Sequence, residues 1–274
     1  MRRGRRHHIG LWATGPVVGL IVDQQAALLA EGCLAPGMAK CTYGTGAFVL
    51  ASTGAAAVRS TSGLTTSVAW RMRGATDYCV DGQVLTAGSA IRWLEDLGII
   101  AGAEGLDAAA AADSGGVLFT PALAGLAAPW WRSDARAAFT GMSLSTGAPH
   151  LVRAVIDGIA AQVADLVGVI ADDTGVPITR LRVDGGLTNS RVLMQAQADL
   201  LQAPVDVYPS AHATALGAAA LARLALDPTL RPADAVGGWV PSMTYEPRIS
   251  PDEAAHHLAT WRSAIHRVMP QAVT

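Results

Sequence analysis

The chain has 274 residues, 51% of them hydrophobic and only 15% charged, with a formal net charge of -2. That is enough chain for a large core, and a balance this close to neutral gives no argument for nucleic acid as a general partner. The three cysteines, Cys33, Cys41 and Cys79, show no metal-ligand spacing and no Cys-x-x-Cys pair, so reduced core thiols in a cytoplasmic protein are expected.

Residues 1–14 read as a basic, irregular extension that opens MRRGRRHH. The apolar stretch 9–22 imitates a secretion signal. Against that, Gly15-Pro16 suits a turn, and no small-x-small cleavage site precedes Asp23-Gln24-Gln25. Residues 15–274 are expected to form one domain. Within it, 17–22 reads as a short buried strand and 24–31 as a helix ended by Gly32. Residues 48–52, 67–71 and 78–84 read as strands, the last two joined near Gly74, which predicts an antiparallel meander. Residues 87–97 form a helix, 101–116 a flexible Ala/Gly stretch, 117–119 a strand, and 121–139 a loop-rich segment. The longest helix is predicted over 149–172, with Leu151, Val155, Ile159, Val163, Leu166 and Ile170 near helical spacing. Strands at 181–183 and 205–207 alternate with helices at 190–201 and 213–226, and a last helix runs over 251–268. The alternation points to an α/β fold. No apolar run reaches the ~18 residues that cross a membrane.

Four segments could carry chemistry. Asp23 stands at the end of an apolar run and opens a helix, a position that faces a cleft or simply caps the helix. The run Lys40-Cys41-Thr42-Tyr43-Gly44-Thr45-Gly46-Ala47-Phe48 puts two glycines around a hydroxyl, a turn whose backbone amides could converge on phosphate or merely close a hairpin. It is not a Walker A sequence. Asp184-Gly185-Gly186 runs from a strand towards a helix and brings backbone close to a ligand, or turns the chain. The small residues of 213–219 suit a tightly packed helix.

Taken in order, these segments resemble the FGGY carbohydrate kinases, and within them the glycerol kinases. The likeness is carried by Asp23-Gln24-Gln25-Ala26-Ala27-Leu28, by Lys40 to Phe48, by Gly88-Ser89-Ala90-Ile91-Arg92-Trp93-Leu94, and by Phe119-Thr120-Pro121. It continues through Ala128-Pro129-Trp130-Trp131, Phe139-Thr140-Gly141, Asp184-Gly185-Gly186 and Thr214 to Ala219. It spans roughly residues 15–226.

The resemblance implies an actin-like ATPase fold built on an RNase-H-like mixed sheet flanked by helices, with this chain as the second domain only. It implies ATP-dependent phosphorylation of a polyol, glycerol to glycerol 3-phosphate in the first instance, with another FGGY substrate such as xylulose or gluconate as the alternative. A non-catalytic nucleotide-binding fragment is the third reading. Asp23 matches the catalytic base and would touch Mg²⁺ through water. Gln24 and Phe48 match polyol contacts. Gly44 and Thr45 match the second phosphate loop, and Gly88, Arg92, Gly185, Gly186 and Ser190 match nucleotide contacts. Three positions depart from the pattern: Val22 stands for Gly, Arg92 for Gln and Ser190 for Asn. The first phosphate loop of the family, Asp-x-Gly-Thr/Ser, does not occur in this sequence. The expected partners are therefore a polyol and an N-terminal kinase domain, with homo-oligomers also open, and inactivity of the chain alone is expected. Neither nucleic acid nor membrane is expected.

Overall fold

A computed structural model describes residues 17–269. The helices are α1 (Asp23–Ala30), α2 (Gly88–Asp96), α3 (Leu106–Ala109), α4 (Ala148–Thr174), α5 (Arg191–Leu201), α6 (Ala213–Leu226), α7 (Pro232–Val236) and α8 (Pro251–Val268). The strands are β1 (Ala39–Tyr43), β2 (Ala47–Gly54), β3 (Thr65–Met72), β4 (Ala75–Val84), β5 (Leu118–Thr120), β6 (Ala138–Thr140), β7 (Leu181–Asp184), β8 (Val205–Val207) and β9 (Met243–Tyr245). Seven strands form one mixed sheet in the order β3-β4-β2-β1-β7-β8-β9, while β5 and β6 pair separately. β7 runs parallel to both β1 and β8, and the remaining neighbours in this sheet are antiparallel. This is the expected mixed sheet flanked by helices.

Side-chain alternation decides what covers each face. Cys41, Tyr43, Val49 and Val183 point to one face and pack with Val155, Ile159 and Val163 of α4 and Met194 of α5. Leu50, Trp70 and Cys79 point to the other face, where Leu28 and Leu29 of α1 and Leu221 and Leu224 of α6 cover them. Each such side chain, fully buried, contributes about 1.5–3 kcal/mol. Contrary to the expectation that no apolar run is long enough, α4 could cross a membrane by length and composition, yet 78% of its most apolar window is buried inside the fold. It is a core helix here. The three cysteines are free and buried. Burial pushes the Cys33 thiol up to about 12, which fits inert core residues.

α1 and α6 touch backbone to backbone. A Cβ at Gly217 would stand 1.8 Å from the carbonyl oxygen of Ala26, so only glycine permits this contact.

Several expectations are corrected. Residues 17–22 are not a strand: the sheet ends at β3 and β9, and the run pairs with neither. Val17, Leu20 and Val22 are 54%, 93% and 64% exposed. Apolar character resembles a buried strand but does not supply a pairing partner. The three strands of the predicted meander are antiparallel, but β4 lies between β2 and β3. The β3–β4 hairpin closes at Arg73-Gly74, both with positive φ, as a two-residue turn requires. Residues 55–64 then carry the chain across, leaving β3 at the edge. Residues 101–116, expected to be flexible, contain a 3₁₀ turn at Ala103–Gly105 and α3, anchored by buried Leu106. The strands β1, β6 and β9 and the helix α7 were not anticipated. The expected basic extension and the turn at Gly15-Pro16 lie outside the described residues.

Candidate functional site

Three stretches of backbone converge at one end of the sheet. The β1–β2 hairpin turns tightly, with Gly44 N donating to Gly46 O at 2.9 Å. Its carbonyls hold the start of α2: Gly88 N donates to Gly44 O, and Ala87 N and Ser89 N donate to Thr45 O, all at 3.0 Å. Ala87 offers no side-chain cap, so the hairpin satisfies amides that a helix start would otherwise leave orphaned. The approach is close enough that a Cβ on Gly88 would stand 2.5 Å from Gly44 O. On the other side Gly185, at φ 98°, lies so near that a Cβ would stand 2.3 Å from Tyr43 O. Tyr43 itself is anchored from below, its hydroxyl donating to Gln197 Oε1 at 2.6 Å.

These stretches border a pocket of about 510 Å³ lined by Gly44, Thr45, Gly88, Arg92, Gly186 and Leu187, among others. That size suits a small-molecule ligand, and exposed glycine backbone lets phosphate oxygens approach closely. Five of the seven residues expected to contact nucleotide therefore line one pocket. Gly185 supports its wall. Ser190 does not line it. The Ser190 hydroxyl accepts from Leu193 N at 3.1 Å as the cap of α5 and donates to Asp107 Oδ1 at 2.5 Å. Arg92 is exposed and pairs with Asp96 at 3.6 Å, a surface pair that holds it only weakly.

The expected polyol residues gather on the sheet face covered by α1. Asp23 is exposed in the first turn of α1, where the helix dipole favours a carboxylate. Its Oδ1 accepts from Gln24 N at 2.8 Å. Gln24 is half-buried, and its Oε1 accepts from Lys40 Nζ. Lys40 also donates to Thr42 Oγ1 at 2.6 Å. Thr42 stands opposite Phe48 in the β1–β2 register, and half-buried Phe48 packs against the apolar cluster under α1.

Beneath them lie charges that sequence reasoning did not use. Lys40 and Glu31 are both 0% exposed, which is rare for charged side chains. Both Glu31 carboxyl oxygens and Asp184 Oδ1 are buried without a hydrogen-bond partner. Burial pushes the Glu31 carboxyl well above its ordinary range, and Asp184 adds to the rise, while Lys40 and Arg182 oppose it. Strand alternation was the available signal: Lys40 and Thr42 alternate with the core residues Ala39, Cys41 and Tyr43, which places both on the opposite, helix-covered face.

Among the described residues no group of three or more His, Cys, Asp or Glu could hold a metal ion. A single exposed carboxylate, Asp23, fits an ion carried mostly by water and by a ligand's phosphates, not one caged by protein.

The chain is similar to known proteins over most of its length. Residues 39–226 match the C-terminal domain of the FGGY family of carbohydrate kinases. A glycerol kinase from Myxococcus xanthus is 44% identical over 257 residues, covering 92% of this chain and 52% of the relative. The crystal structure of Plasmodium falciparum glycerol kinase with ADP aligns with a TM-score of 0.84 at 33% identity, covering 91% of this chain and 50% of that one. Xylulose kinase from Rhodospirillum rubrum aligns with a TM-score of 0.75 at 26% identity, covering 89% of this chain and 50% of that one. The chain spans about half the length of the curated relatives it matches.

Proposed function

Because the chain belongs to the FGGY family of carbohydrate kinases, we propose that it supplies the nucleotide-binding half of an ATP-dependent kinase acting on glycerol. The observation that carries this reading is the backbone cradle of Gly44–Thr45, Gly88 and Gly186 around one pocket, with the exposed carboxylate of Asp23 at the start of α1 and the polar cluster of Gln24, Lys40 and Thr42 beside it. The identity of about 44% to a glycerol kinase supports glycerol over xylulose or gluconate in this reading.

In this reading the pocket takes ATP. The hairpin amides and Thr45 face the phosphates, and Ile91 and Leu187 flank the ligand's flat part. Asp23 accepts the proton of the attacking hydroxyl, Gln24 orients the polyol, and Phe48 packs against its carbons. Phosphoryl transfer asks mainly for positioning and charge stabilisation. Asp23 would hold Mg²⁺ through water, and the ion would supply neutralisation of the charge on the phosphates. The polyol's other wall and the first phosphate loop come from the half of the relatives that this chain does not span. Residues 15–274 act as the family's second domain in a cytoplasmic enzyme.

The test is reconstitution. The chain is mixed with the N-terminal half of a glycerol kinase relative, and glycerol-dependent ADP release is measured beside calorimetric titration of ATP·Mg into the chain alone. Activity that appears only in the mixture and disappears with Asp23→Asn supports the reading. A folded mixture that neither binds ATP nor turns over overturns it, and preference for a ketose or sugar acid reassigns the substrate.

A further inference from the structure

Lys40 is fully buried on β1, and its Nζ donates to Gln24 Oε1 and Thr42 Oγ1. An ammonium has only donors, so any group that meets it must accept. Gln24 is thereby forced to turn its carbonyl inward, because the flipped amide would set NH₂ against the ammonium. Its own NH₂, without a partner among the described residues, is left for a ligand. Thr42 likewise gives a lone pair inward and keeps its O–H. The Asp184 carboxylate stands beside Thr42 in the β1–β7 register. Asp184 Oδ1 and both Glu31 oxygens are buried and unpartnered. None of these oxygens accepts from Lys40, so its donors are not drawn off from Gln24 and Thr42.

We propose that Lys40 is a positioning residue that sets the hydrogen-bond polarity of the polyol site. It fixes Gln24 and Thr42 as donors and leaves Asp23 as the acceptor. This rests on the reading of Gln24 as a polyol contact. The matching ligand carries one hydroxyl that gives its proton towards Asp23 and a neighbouring oxygen with lone pairs for Gln24. Glycerol has both. Protonated 3-amino-1,2-propanediol, bound with its ammonium towards Gln24, has no lone pair to offer there and is rejected.

Two measurements test the proposal. The first is thermal unfolding of the isolated chain with Gln24→Glu, Gln24→Leu, Lys40→Met and the Gln24→Glu/Lys40→Met double variant. Gln24→Glu, which puts a carboxylate against Lys40, is expected to raise Tm by a few degrees. The same change in the Lys40→Met background is expected to lower it, and Gln24→Leu lowers it by leaving a buried donor unmet. If Lys40→Met does not fold, the order of Gln24→Glu and Gln24→Leu still decides: a leucine variant as stable as the glutamate variant overturns the contact. The second measurement uses the reconstituted pair. Lys40→Met should raise KM for glycerol about tenfold, the loss of one hydrogen bond to a polar partner, with a smaller change in kcat and unchanged ATP affinity. Discrimination against 3-amino-1,2-propanediol should fall. Equal losses in ATP affinity and glycerol KM would mark Lys40 as merely structural and overturn the proposal. A wild-type pair that phosphorylates no glycerol overturns the functional reading and the substrate part of this one, while the Tm comparison stands or falls by itself.

Discussion

Adding one methyl group at Gly88 tests whether the hairpin and α2 form a single cradle. The new Cβ would lie 2.5 Å from Gly44 O and 3.3 Å from Gly44 C, about 0.9 Å inside ordinary carbon contact. Both neighbours are backbone, so no side chain can swing away. Relief requires the hairpin to lift from α2, which stretches the three 3.0 Å bonds made by Ala87, Gly88 and Ser89. At about 1 kcal/mol net for each bond the loss reaches ~2–3 kcal/mol. Roughly 0.4–1 kcal/mol returns because alanine narrows the unfolded ensemble. The net cost of about 2 kcal/mol corresponds to a fall of roughly 4–8 °C in Tm for a chain of this size. Because the lifted hairpin is the pocket wall, ATP·Mg affinity should fall about tenfold or more, as misplacement by ~1 Å is costly. Differential scanning fluorimetry and calorimetric titration on wild type and Gly88→Ala measure both. A variant that melts and binds like wild type would refute the cradle.

Other perturbations separate stability from chemistry. Ser190→Ala removes the cap of α5 and a bond to Asp107, and should lower stability by about 1–2 kcal/mol in denaturant titration while leaving ATP affinity near wild type, since Ser190 does not line the pocket. Gly168→Ala places a methyl where nothing lies within 4 Å, in the interior of α4, and should stabilise the chain by about 0.5–1 kcal/mol. Glu31 has a folded-state pKa raised above its usual value by burial. Its contribution to stability is therefore present below the unfolded pKa and is lost as pH rises through the folded one. Glu31→Gln should flatten that decline, and a pH series of melting curves unchanged by the substitution would contradict the assignment. Asp23→Asn should abolish glycerol phosphorylation in the reconstituted pair with ATP affinity retained, and full activity would remove Asp23 as the base.

Local chemistry was the legible part. Gly44 and Gly46 around Thr45 announce a tight turn, and the long spacing of Val155, Ile159 and Val163 announces α4, because both signals are written in neighbouring residues. The order of β2, β4 and β3 was not legible, since pairing depends on where residues 55–64 carry the chain. The run at 17–22 misled because apolar side chains usually mean burial, and here Leu20 is almost fully exposed. Ser190 was assigned by position to a nucleotide contact, but its hydroxyl serves α5, a use that only the helix start at Arg191 reveals. Lys40 stood in the most informative segment without a role. Its partner Gln24 is sixteen residues away, on a helix whose approach to β1 the sequence does not encode locally.

The glycine that lets α6 lie on α1 has a dynamic consequence. With Ala26 O seated against Gly217 and Leu28 and Leu29 of α1 sharing one apolar cluster with Leu221 and Leu224 of α6, an outward swing of α1 alone would open that backbone contact and uncover the shared cluster, which favours the two helices moving together. Amide protons of Asp23–Ala30 and Ala213–Leu226 should then exchange with deuterium as one cooperative unit. A probe attached near exposed Leu226 would in this way report on the mobility of the carboxylate at the opposite end of the pair.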